Sequence, residues 1–128
     1  MPEAEKITIN MNVVDLGKVD LLVSEGFYSN RTDFIRTAIR NQLDRHEDEV
    51  KLTVKRRSLS IGVMHYNRQE LERMLADGGR LSVSLAGLFS LASDVTPELA
   101  REVIVSVRVM GVFRASQAVK DALADRTH

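Results

Sequence analysis

The chain of 128 residues contains no cysteine, no tryptophan and only two prolines. Without cysteine it can form neither a disulfide framework nor a thiolate metal site. Its opening, MPEAEK, lacks the basic and apolar regions of a signal peptide. No apolar run approaches the roughly 20 residues needed to span a bilayer. These absences predict a cytoplasmic protein that does not enter the membrane.

An excess of charge of either sign is also missing, because 18 basic residues balance 18 acidic ones. The whole chain therefore exerts no net attraction on nucleic acid, and any basic binding surface must be local. With 44% hydrophobic and 28% charged residues the composition is that of a folded protein. The length allows one domain or two small ones.

Catalytic and metal-binding patterns are equally scarce. The three histidines, His46, His65 and His128, have no short ligand spacing. The glycines form neither a dinucleotide-binding nor a phosphate-loop motif, and the serines lack a suggestive histidine and acid nearby. His65 falls on what we expect to be the apolar-facing side of a strand, where a core histidine is commoner than a ligand. We expect no enzymatic activity, no catalytic residues, no metal and no cofactor.

What the sequence does contain begins with a strictly alternating segment. In KITINMN, residues 6–12, Ile7, Ile9 and Met11 alternate with polar residues. This is the period of a β-strand with one buried face. No second strand is evident in the following forty residues or so, so the partner of this strand has to be sought elsewhere.

Two amphipathic helices with N-terminal caps follow. Asn12 with Asp15, and Asn30 with Asp33, each have the spacing of an N-cap and the third helical residue. Apolar residues then recur at helical intervals, and Gly26 between the two helices is typical of a helix end. The sequence therefore predicts strand, helix, turn and helix, with the second helix running to about residue 46.

One strand and two helices in about 45 residues bury too little surface to fold alone. We expect the strand to pair antiparallel with the same strand of a second copy, so that both helix pairs close into one core. The buried side of this ribbon would form the dimer core: Ile7, Ile9 and Met11. The outward side, which suits a DNA major groove, would read bases: Lys6, Thr8 and Asn10.

This stretch resembles a known family. EKITINMN, followed by a helix and by EGFYSNRTDFIRTAIRNQL, is similar to the ribbon-helix-helix superfamily of DNA-binding proteins, the MetJ/Arc/CopG type; the resemblance covers residues 5–46. It implies that the outward strand residues contact bases. It also implies that the start of the second helix holds a DNA phosphate, through Asn30, Arg31 and Thr32. Free N–H groups and the helix dipole favour an anion there.

Residues 47–57, EDEVKLTVKRR, change from acidic to basic while Leu52 and Val54 keep a strand-like alternation. We interpret them as a linker or an edge strand with a charged face. An arm that adds phosphate contacts beside the operator is the alternative.

The remaining residues, 58–128, repeat. LSVSLAGLFSL, residues 81–91, matches VSVRVMGVFRA, residues 105–115, at alternate positions, including Gly87 with Gly111 and Phe89 with Phe113. LSIGV, residues 59–63, is a looser first copy whose Gly62 falls on the opposite face. Helices are predicted over residues 68–77, 97–104 and 117–125. A period of about 24 residues with one strand and one helix per unit predicts a small β/α solenoid.

The expected fold is therefore α+β: a ribbon-helix-helix domain at 1–46, forming an intertwined dimer, and a solenoid-like repeat domain at 58–128 that forms higher oligomers or binds a partner. We do not assign the repeat domain to a family. The expected function is that of a transcriptional regulator, a repressor, that reads a palindromic operator in double-stranded DNA. The alternatives are the antitoxin of a toxin–antitoxin pair, or a scaffold protein dimerised by its N-terminal domain. No feature indicates a small-molecule effector.

Overall fold

The computed structural model describes residues 4–128. The chain divides into two compact units, one of residues 6–53 and one of residues 54–128 together with Ala4 and Glu5. The fold is α+β, with six α-helices and one three-stranded parallel sheet in the described part of the chain. None of these helices is both long and apolar enough to cross a membrane.

The first unit is helical. Helix α1 spans Val13–Ser24 and helix α2 spans Arg31–Arg45. Both predicted caps are confirmed: the Asn12 side chain accepts hydrogen bonds at the start of α1, and the Asn30 side chain does so at the start of α2. Gly26 follows α1 with φ +85°, the left-handed conformation that a glycine adopts without strain.

A third helix, α3, spans Glu47–Arg56, so the expectation of an edge strand at residues 47–57 is wrong. The boundary between the two units falls within this segment, after Thr53. Its charges explain the helix: the first turn carries three acidic residues and the last turn carries Lys55 and Arg56, which complements the helix dipole at both ends. Lys51 also pairs with Glu47 at 3.3 Å, one turn apart. The alternation of Leu52 and Val54 is too short to outweigh these helical preferences.

The second unit alternates strands and helices. Its strands are β1 (Ser60–Tyr66), β2 (Leu81–Leu91) and β3 (Ile104–Arg114). Its helices are α4 (Arg68–Ala76), α5 (Pro97–Val103) and α6 (Gln117–Ala122), followed by a 3₁₀ turn at Ala124–Arg126. The strands lie in the order β1-β2-β3 and pair parallel. The predicted helices are confirmed, and the side chains of Asn67, Thr96 and Ser116 cap their N-terminal ends.

All three helices of this unit pack on one face of the sheet. The core joins alternate residues of β2, including Val83, Leu85 and Phe89, to Leu71 of α4 and Val119 of α6. Phe89 is fully buried and its ring stacks on that of Phe113, with centroids 5.2 Å apart. The residues between them along each strand lie on the opposite face, which α4, α5 and α6 leave uncovered; we call it the open face.

The register of the sheet corrects one detail of the repeat. Gly62 of β1 pairs with Gly87 of β2, which pairs with Gly111 of β3, so the three glycines form one row across the sheet. The first spacing is therefore 25 residues and the second 24, and a uniform period of 24 placed Gly62 on the wrong face. The same shift moves His65 to the open face, where its Nδ1 lies 3.1 Å from the Ser90 hydroxyl. His65 is thus an exposed residue and not a core histidine.

Candidate nucleic-acid interface

The segment predicted to be the ribbon forms neither helix nor strand within a single chain. Among the described residues, nothing pairs with it as a neighbouring strand. Its apolar residues are uncovered: Ile7 is 74% exposed and Ile9 is 60% exposed. Lys6, Thr8 and Asn10 are exposed as well. The backbone and both sides of this segment are therefore free to engage another molecule.

The helices of the same unit lack a core of their own. Across residues 6–53 only Val19 is a buried hydrophobic residue, and no residue of α2 or α3 is buried. Large apolar side chains stay in solvent instead, among them Val13, Val14, Leu21, Phe27, Ile39 and Leu43. A soluble unit seldom leaves so much apolar surface uncovered. In a single chain these apolar side chains are therefore left uncovered.

The start of α2 is shaped by a reciprocal pair of hydrogen bonds. The backbone N–H of Asp33 donates to the Asn30 carboxamide at 2.8 Å, and the N–H of Ser29 donates to the Asp33 carboxylate at 2.9 Å. The N–H groups of Arg31 and Thr32 have no acceptor among the described residues. Unpaired N–H groups at the positive end of a helix dipole form a site for an anion such as a phosphate.

The side chain of Arg31 is already engaged. Its Nε and Nη2 atoms each donate to the Asp20 carboxylate at 2.7 Å, which is a bidentate pair between α2 and α1. The hydrogen bond from Arg31 lowers the pKa of Asp20 below its usual value, and the pKa of Arg31 is raised in turn. Sequence reasoning missed this pair because the two residues lie eleven positions apart on different helices. In a single chain Asp20 holds the guanidinium that the resemblance assigns to phosphate.

Elsewhere the described residues offer little for other ligands. No group of three or more histidine, cysteine or acidic side chains is placed to hold a metal ion. The predicted base-reading residues and the phosphate-site residues all belong to the same unit, residues 6–53. This unit therefore holds every residue assigned to base reading or to the phosphate site.

The sequence profile of the Ribbon-Helix-Helix transcriptional regulator family matches residues 2–120. The chain belongs to this family. The match extends well beyond the third of the chain that carries the sequence resemblance, so the repeat unit is a part of the family's pattern and not an unrelated attachment. Regulators of the ribbon-helix-helix family typically bind DNA as dimers. Neither the curated proteins nor the solved structures that were compared include a match to this chain.

Proposed function

We propose that this ribbon-helix-helix regulator is a repressor that reads a palindromic operator through a two-stranded ribbon shared by two copies of the chain. The observation that carries the proposal is that residues 6–12 are largely exposed and form neither helix nor strand in a single chain. An alternating segment with no partner strand among the described residues of its own chain precedes helices whose apolar faces are uncovered. Antiparallel pairing with a second copy would supply the backbone hydrogen bonds of the segment, and it would also cover the apolar faces of the helices.

In that dimer Ile7, Ile9 and Met11 turn inward, because side chains alternate across a strand. Lys6, Thr8 and Asn10 then stand outward, with an ammonium, a hydroxyl and a carboxamide for the edges of the bases. A carboxamide pairs bidentately with adenine and a lysine donates to guanine, and each good bidentate contact discriminates by about 1 to 3 kcal/mol. A two-fold protein reads a palindrome because each half meets the same base sequence.

The start of α2 would fix the ribbon on the duplex. The N–H groups of Arg31 and Thr32 would receive a backbone phosphate, and Asn30 would hold the helix start in the required conformation through its bond to Asp33. Such contacts set register and orientation but carry no sequence information of their own. A repressor needs nothing further, because a dimer seated in the major groove blocks access to the operator.

The test is a selection of bound sequences from random DNA, at two salt concentrations, with the intact chain. We expect a palindromic sequence whose affinity falls steeply with salt. Replacement of Lys6, Thr8 and Asn10 by alanine should abolish the selectivity and leave the dimer intact. A control that removes the same residue types from helices, Lys18, Thr37 and Asn41, should keep it. A ribbon variant that still selects the same sequence would refute the base-reading assignment.

The antitoxin alternative expects a short, poorly ordered tail. The second unit has instead an extensive buried core that includes Leu71, Phe89, Ile104 and Leu123, each with no exposed surface. Such a core favours a folded module that persists under limited proteolysis. Rapid digestion of residues 58–128 in the intact chain would favour the antitoxin.

A further inference from the structure

The open face of the sheet carries an ordered apolar band. Two rows of side chains cross all three strands in register, one on each side of the glycine row. The first row consists of Ile61, Ala86 and Met110, and the second of Val63, Leu88 and Val112. We call these six residues the open-face band. Polar residues flank it, with Ser84 and Arg108 on one side and His65, Ser90 and Arg114 on the other.

The open-face band is accessible. Ile61 is 63% exposed, Val63 is 53% exposed and Met110 is 44% exposed, whereas Leu88 in the centre is buried. Between the two rows runs a shallow groove of about 320 Å³, with Gly62 and Gly87 among its lining residues. An apolar surface rimmed by polar residues is typical of a protein–protein contact and not of a surface kept in water.

The size of this face restricts what can cover it. With strands about 4.8 Å apart and about 3.3 Å of rise per residue, three strands of this length present at most about 500 Å². A stable complex of separate molecules typically buries about 800 Å² on each partner. A face of this smaller size suits a partner that another contact already holds nearby, because the tether gives that partner a high effective concentration.

We propose that the open-face band of one chain packs against the open-face band of a second copy. This inference rests on the proposed ribbon dimer, which supplies the contact that brings the second copy close. Identical faces meet about a two-fold axis, so the central residues Ala86 and Leu88 of each chain lie near the axis and opposite their counterparts. The sheets pack about 10 Å apart, as in a sandwich, and the helices stay outside.

The rim of the face predicts how salt acts on this contact. None of the open-face side chains of the three strands is acidic, whereas Arg108 and Arg114 are basic and Arg57 lies over the Met110 sulfur at 3.8 Å. Glu5 lies 3.5 Å from Arg114 and offsets part of this charge. Two such faces repel one another, so added salt should strengthen their contact. An acidic partner protein would be attracted instead, and its binding would weaken with salt.

The absence of cysteine allows a clean test with the full-length chain. Ala86→Cys places one thiol at the centre of the band, and Glu102→Cys places one on the exposed surface of α5, on the helix side of the sheet. A bis-maleimide with a span of about 10 Å, matched to the distance between packed sheets, is added at several dilutions. We expect Ala86→Cys to form covalent pairs rapidly, at a rate that does not fall on dilution and that rises with salt. Glu102→Cys should react only slowly and in proportion to concentration.

A second substitution guards against misfolding. Val63→Asp in the Ala86→Cys chain should reduce covalent pairing at least tenfold. It should leave the unfolding temperature of the second unit unchanged, because the side chain of Val63 is exposed in the single chain. Suppose that sedimentation shows the chain to be dimeric and that both cysteine variants react equally and in proportion to concentration. This result would overturn the inference and leave the proposed function standing. A chain that sediments as a monomer would overturn both.

Discussion

The carbonyl oxygen of Gly62 lies in the space that a side chain on Gly87 would occupy: a β-carbon at Gly87 would sit 1.9 Å from it. The same relationship recurs one strand further, where a β-carbon at Gly111 would sit 2.2 Å from the Gly87 carbonyl oxygen. All three glycines have φ between +121° and +145°, a conformation that other residues rarely adopt. Gly87 and Gly111 therefore meet two requirements: the backbone has a positive φ, and the neighbouring strand approaches too closely for a side chain.

This row yields a prediction for the stability of the second unit. Gly87→Ala should cost more than about 3 kcal/mol, because it adds a backbone collision to an unfavourable φ. Gly62→Ala is the matched control, since its φ is also positive but nothing lies within 4 Å of the added carbon. It should cost only the conformational strain of about 1 to 3 kcal/mol. Urea unfolding followed by circular dichroism measures both, and equal losses would contradict the collision.

The dimer core yields a second prediction. Ile9→Asn should raise the dissociation constant of the dimer at least about 100-fold, because each protomer loses an apolar burial of about 1.5 to 3 kcal/mol. The control is the neighbouring Thr8→Ala, which alters the outward side of the same ribbon and should leave association unchanged. Analytical ultracentrifugation over a range of concentrations measures the constant. Unchanged association of the Ile9 variant would show that this segment is not the dimer interface.

The ion pair between Asp20 and Arg31 yields a third prediction. Asp20→Asn should free the guanidinium beside the proposed phosphate site in both protomers. Since each phosphate contact contributes about 0.9 to the salt dependence of binding, the slope of log affinity against log salt should steepen by up to about 1.8. Asp15→Asn makes the same change of charge in the first turn of α1 without releasing Arg31. Equal slopes for the two variants would show that Arg31 does not reach the DNA.

The same pair responds to pH. The pKa of Asp20 is lowered in the folded chain by its bond to Arg31. A group with a lowered pKa stabilises the fold above its ordinary value of 3.8 and loses that contribution as the pH falls through the lowered value. Since both side chains are about half exposed, the effect is small and is screened by salt. Asp20→Asn should therefore remove a small acid-dependent component from the unfolding curve below about pH 4.

The helix starts were predictable from sequence because caps are local. Asn67 and Glu70, three residues apart, form a reciprocal capping box, and the Ser116 hydroxyl oxygen accepts a hydrogen bond from the N–H of Val119. Such signals depend only on neighbours within one helical turn, so they can be recognised without knowing how the rest of the chain folds. Helix α3 was not predicted, because the short alternation of Leu52 and Val54 suggested a strand. The acidic start and basic end of residues 47–56 are the local signal that indicates the helix.

By itself the sequence determined the alternation of residues 6–12, the caps and the strand–helix order of the repeats, because each depends on residues close together in the chain. Only the tertiary structure decided which glycines share a row, which face of the sheet holds His65 and which carboxylate holds Arg31. The physical reason is that register and pairing depend on residues distant in sequence. A shift of a single position turns every side chain of a strand to the other face.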